Sequence, residues 1–98
     1  MLVRIVKMSF DPLHIDTFLD NFYSKKNAIR NFNGCQFLEL YRTQKESNIF
    51  FTYSYWNSEA DLESYRHSDL FKNVWSKTKP LFNNKPQAWS GDKVVSLP

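Results

Sequence analysis

Among the side chains of this sequence, His67 is the one best suited to proton abstraction near neutral pH, because an imidazole ordinarily titrates there. The alternative is a structural histidine that caps or hydrogen-bonds locally at a kink in a helix. Around it in sequence lie aromatics that could hold a flat ligand. Tyr53 and Tyr55 share one face of a strand-like run, and Tyr65 enters from the helix that follows. A tyrosine hydroxyl there could bind a substrate oxygen, although core or interface packing is the commoner use. Phe71 and Trp75, one helical turn apart, would line an apolar slot. The candidate site is thus His67 as base, with Tyr53, Tyr65, Phe71 and Trp75 as substrate contacts.

Other reactive side chains are less promising. His14 lies off the apolar stripe of its helix and is expected to be exposed. Cys35, the single cysteine, reads as a small core residue and rules out a disulfide framework. Glu39 alternates with Cys35, Phe37 and Tyr41, poor company for a charge, so an ion pair with Arg4 or Arg42 is expected if it is buried. No His, Cys and carboxylate cluster has metal-ligand spacing, and two glycines, Gly34 and Gly91, cannot build a phosphate loop.

These side chains must be positioned by a short chain. Ninety-eight residues argue for a single domain, 1–98, which buries only about two-thirds of its unfolded surface. Aromatic residues make up 17% of it, more than such a core needs, which suggests a ligand pocket, an oligomer interface or both. The net charge of +3 is dispersed, and the one basic cluster, residues 72–85, reads as a solvated helix face, so no nucleic-acid partner is expected. Neither a signal-peptide pattern nor a bilayer-length apolar run is present, so no membrane association and a cytoplasmic location are expected.

Residues 2–8 alternate as a strand. Asp11-Pro12 opens a helix over residues 12–30 with Ile15, Phe18, Phe22 and Ile29 inward, and Asn33-Gly34 closes it. Residues 35–43 and 48–56 form a hairpin. A second helix begins at Ser58, breaks at His67-Ser68-Asp69 and ends at Pro80; the last strand covers residues 87–97, interrupted at Gly91-Asp92. The order is that of an α+β, ferredoxin-like βαββαβ fold with an antiparallel sheet. Its helices cover one sheet face. The other face carries large apolar side chains whose exposure would forfeit about 1.5–3 kcal/mol each. A second copy of the chain is the simplest cover, so a homodimer is expected, with a pocket between sheet and helices in each subunit.

The run Trp56-x-Ser58-x-x-x-Leu62-x-x-Tyr65-x-x-Ser68-x-x-Phe71, together with the element order, resembles the antibiotic biosynthesis monooxygenase family. The resemblance covers nearly the whole chain. It implies a dimeric α+β barrel and a cavity in which dioxygen reacts directly with an electron-rich quinol-like or polyphenolic substrate. No cofactor is needed for that chemistry, with His67 as the base. The family also includes haem-degrading members, which use an Asn in strand one, a Trp early in helix two and a His ligand later. Here strand one has Arg4 and Lys7 but no Asn, Tyr65 stands in place of the Trp, and Trp75 in place of the His. An indole cannot ligate iron, so haem degradation is disfavoured. The alternative to an enzyme is a non-catalytic dimeric module that binds a small aromatic molecule.

Overall fold

The computed structural model describes residues 1–98. Strand β1 (Leu2–Ser9) leads into helix α1 (Ile15–Arg30), and β2 (Cys35–Arg42) pairs with β3 (Ile49–Trp56). Helices α2 (Glu59–Arg66) and α3 (Asp69–Thr78) follow, and β4 (Gln87–Asp92) completes the sheet. The strands lie in the order β2-β3-β1-β4 with every pair antiparallel. This is the ferredoxin-like arrangement, with all helices on one face of the sheet. No helix is long and apolar enough to cross a membrane.

Local chemistry accounts for most of the boundaries. The Asp11 carboxylate accepts from the Leu13 N–H at 3.0 Å, but this closes a short 3-10 turn, Pro12–His14, and the α-helix starts only at Ile15. The long second helix is two helices, as the sequence indicates. The Ser68 hydroxyl accepts from the Phe71 N–H at 3.1 Å and donates to the Tyr65 carbonyl at 2.6 Å, so one residue ends α2 and caps α3. The last strand is shorter than expected. Its register pairs Gln87 with Lys7 and Asp92 with Leu2, so β1 runs out of partners just where β4 stops. Gly91 is not a break; it pairs with Val3 in regular register.

An irregularity does occur in β2, between Cys35 and Phe37. It reverses an expected facing. Cys35 does not share a side with Phe37, Glu39 and Tyr41; it turns under the helices and is 4% exposed, beside Trp56. A bulge adds one residue to one strand and so switches the alternation beyond it. Glu39 and Tyr41 are left exposed on the far face. Neither arginine reaches Glu39: Arg4 belongs to the helix side of the sheet, and Arg42 lies over the Phe50 ring, 5.1 Å from its centroid. Glu39 instead accepts from the Tyr41 hydroxyl, which raises the phenol's pKa.

The core under the helices is two clusters rather than one. Met8, Phe10, Ile15, Phe18 and Phe50 form the first. Ile29, Cys35, Trp56, Leu62 and Tyr65 form the second, at the other end of the sheet. The stretch between α1 and β2 holds the second cluster shut through Gly34. Its φ is +92°, and a Cβ there would lie 2.5 Å from the Asp61 Cβ at the start of α2. Gly34→Ala is therefore expected to cost about 2 kcal/mol from the left-handed backbone alone, with the collision adding to it. In a thermal melt this is a drop in Tm of roughly 10 °C. Asp61→Ala should not rescue it, since the colliding Cβ remains.

Candidate active site

Strand β3 explains why a space opens between the two clusters. Its helix-facing residues read Phe50, Thr52, Ser54, Trp56: large at the ends, small in the middle. Thr52 pairs with Val6, which pairs with Ala88 on the other side. Ser54 pairs with Arg4, which pairs with Ser90. The centre of the sheet is therefore a shallow floor of short side chains, with Arg4 the one long side chain among them. The helices rest on the bulky ends, and a cavity of about 330 Å³ remains between. That size suits a small aromatic ligand.

Tyr65, Phe71 and Trp75 line this cavity from α2 and α3, while Phe18 and Phe22 line it from α1. The Tyr65 ring stacks on Trp56 at 5.0 Å and meets the Phe71 edge at 5.2 Å; Phe71 and Trp75 lie nearly parallel at 5.9 Å. The kink at Ser68 makes this possible, because it lets two short helices aim their aromatic faces at one volume. Burial pushes the Tyr65 phenol well above its ordinary pKa, with nearby Cys35 adding to the effect. Tyr65 is thus a neutral wall at physiological pH, not a base.

Two expected site residues lie elsewhere. Tyr53 is on the sheet face away from the helices, across from Glu39 and edge-on to Tyr41 at 5.1 Å, so it cannot touch a ligand in the cavity. His67 is also outside it. The side chain is 78% exposed, and its Nδ1–H donates to the Glu63 carbonyl at 2.8 Å, His67 being the residue that caps the C-terminus of α2. The helix spacing that brings Tyr65 inward carries His67 outward, about 200° round the helix. His67→Ala is expected to change ligand affinity and any turnover by less than about twofold and stability by under about 0.5 kcal/mol, measured by titration and thermal melt. His14 is exposed in the 3-10 turn, so neither histidine reaches the cavity, and Trp75 occupies the wall. The residues present do not fit haem ligation. No cluster of three or more His, Cys, Asp or Glu that could hold a metal ion occurs.

The polar part of the lining was not singled out in the sequence. Arg4, Lys25, Arg66 and Lys77 border the cavity with Thr52 and Ser54, and no carboxylate does. The Ser54 hydroxyl accepts from the Trp56 indole N–H at 3.0 Å and so fixes that ring in the floor. The signal was present in strand one, where Arg4 interrupts the otherwise apolar series Leu2, Val6, Met8. Strand alternation by itself does not say that the face Arg4 shares with these residues borders a cavity.

A sequence model described as antibiotic biosynthesis monooxygenase matches residues 1–75, more than three-quarters of the chain. The chain belongs to the antibiotic biosynthesis monooxygenase family. The matched region holds β1, α1, the hairpin, α2 and the first part of α3, and so most of the cavity. Solved structures show the same fold. One described as an antibiotic biosynthesis monooxygenase superposes with a TM-score of 0.90 at 20% identity, covering 97% of this chain and 100% of that one. A conserved Methanosarcina mazei Go1 protein gives 0.88 at 19% identity over 95% and 93% of the two chains. A Mycobacterium tuberculosis protein gives 0.88 at 13% identity over 99% and 98%. A comparison with curated proteins gave no match.

Proposed function

We propose that this member of the family is a cofactor-independent monooxygenase that oxidises a quinol-like or polyphenolic compound held between the helices and the sheet. The observation that carries this reading is the aromatic-walled, cation-bordered cavity over a floor of small side chains. A flat ring fits between Phe71, Trp75 and the sheet, and the basic lining favours the ring's anion over its neutral form. The lining holds no histidine, carboxylate or thiol, so the phenolic proton leaves to solvent and the protein's part is to stabilise the anion. The electron-rich ring then forms a C–O bond with dioxygen. Loss of water from the resulting hydroperoxide leaves a hydroxyquinone. One oxygen atom enters the ring, the other departs as water, and the substrate supplies all the electrons.

The reading includes a second copy of the chain. The outer sheet face presents Val3, Ile5, Phe51, Tyr53 and Tyr55 only partly covered, and Trp89 is 49% exposed. Phe37 and Tyr55 stack there at 4.2 Å. Such a surface supports sheet-on-sheet pairing.

Oxygen uptake with a panel of hydroquinones tests the proposal. The expected result is uptake of one dioxygen per hydroxyquinone formed, above the uncatalysed rate. Tight binding of the same compounds with no uptake would instead favour a non-catalytic binding module, a reading supported by the absence of a base in the cavity lining.

A further inference from the structure

We infer that the aromatic ligand carries a carboxylate and that Arg4 is the residue that takes it. The inference rests on the cavity being the ligand site, and it narrows the substrate class to aromatic acids.

Arg4 occupies an unusual position. It is on β1, an interior strand of the sheet, on the side covered by the helices, between Ser54 and Ser90. The other helix-facing residues of that strand are Leu2, Val6 and Met8. Taking a guanidinium partly out of water costs free energy unless it is paired. Its one hydrogen bond to protein runs from Nη1 to the neutral Ser90 hydroxyl at 2.9 Å. The ion pairs of the chain, Arg66–Glu63 and His67–Glu63, do not include it. A guanidinium has five N–H donors in a planar fork, so most of its donor capacity is unspent.

The surroundings have the matching sign. Lys25 and Lys77 come from α1 and α3 over the cavity; partial burial, and next Arg66, lower the Arg4 pKa, with Glu63 opposing them. Of the four cations in the lining, Arg66 is held by Glu63 at 3.0 Å, and Glu59, Glu63 and Asp92 border an adjoining groove that Arg4 also reaches. Arg4, Lys25 and Lys77 have no ion pair and no carboxylate faces the cavity itself, so an anionic ligand completes the site. The small serines on either side leave the fork unobstructed. A planar carboxylate satisfies it through two parallel hydrogen bonds, with the attached ring directed toward the aromatic walls. A phenolate offers a single oxygen and matches the fork less well.

The test uses the intact chain and the fluorescence of Trp56 and Trp75, both in the cavity lining. 2,5-Dihydroxybenzoate, which is hydroquinone with one added carboxylate, is titrated against hydroquinone itself at neutral pH. The acid is expected to bind at least about tenfold more tightly, the ordinary value of a charge-assisted contact. Arg4→Met should remove that preference, and Arg4→Lys should keep part of it. Equal affinities in the unaltered protein overturn the inference, as does a preference that survives in Arg4→Met, which would reflect only the overall positive charge. If circular dichroism shows Arg4→Met unfolded, Arg4→Lys decides: full retention of the preference overturns the fork, and partial loss supports it. Hydroquinone turnover without a carboxylate preference sinks this inference alone. A carboxylate preference without oxygen uptake sinks the oxygenase reading alone.

Discussion

Tyr53→Glu is expected to convert the proposed dimer to monomer at micromolar concentration in sedimentation velocity. Tyr53 lies on an interior strand, on the face that the helices leave bare, so the substituted carboxylate would enter the sheet-on-sheet interface. A two-fold axis would place two such charges there. Each costs several kcal/mol when taken from water without a partner, so the pair weakens association by roughly 6 kcal/mol and raises the dissociation constant by on the order of four decades. Glu39 sits directly across from Tyr53 in register, and the new like charge adds repulsion in the same direction. Tyr53→Phe, which keeps the ring, should leave the dimer intact. A monomeric unaltered protein at that concentration would remove the second copy from the proposed function.

The second large effect concerns the cavity. Thr52→Phe places a ring on the floor between the two core clusters, where Thr52 and its neighbours Val6 and Ala88 now leave room. Overpacking a full core commonly costs 1–3 kcal/mol, but here the added ring enters existing space, so the Tm should change little. Ligand affinity should fall by about 100-fold, because the aromatic substrate loses the apolar contact of one buried ring face, about 3 kcal/mol. The same fluorescence titration reads the effect. Unchanged binding in a folded Thr52→Phe protein would move the ligand site elsewhere and overturn the reading of the cavity. Paired with His67→Ala, which should do nothing, the result separates a site under the helices from one at the rim of α2.

Particular elements show how far the residues alone could be read. The split of the second helix was legible because Ser68 carries its capping chemistry in its own side chain. The facing of Leu2, Arg4, Val6 and Met8 followed from strand alternation. The facing of Cys35 did not, because the bulge after it depends on how β2 meets β3 and leaves no mark in composition. Strand β4 was read too long for a similar reason: its end is set by where β1 begins, at a distance of some ninety residues in sequence.

The candidate site divides in the same way. Tyr65, Phe71 and Trp75 could be placed on one wall from helical spacing, since each side chain's direction is fixed by its own helix. His67 was nominated by chemical type, and type says nothing of direction; one further step around the helix puts it in water. Arg4 was visible as a letter but not as a site, because its meaning comes from Ser54, Ser90 and the helices that cover them. Local pattern therefore determined the elements, their order and the excess of aromatic surface. Only the tertiary structure decided which side chains share an enclosed volume, because that depends on strand register and helix placement, properties of residues far apart in the chain that no local pattern contains.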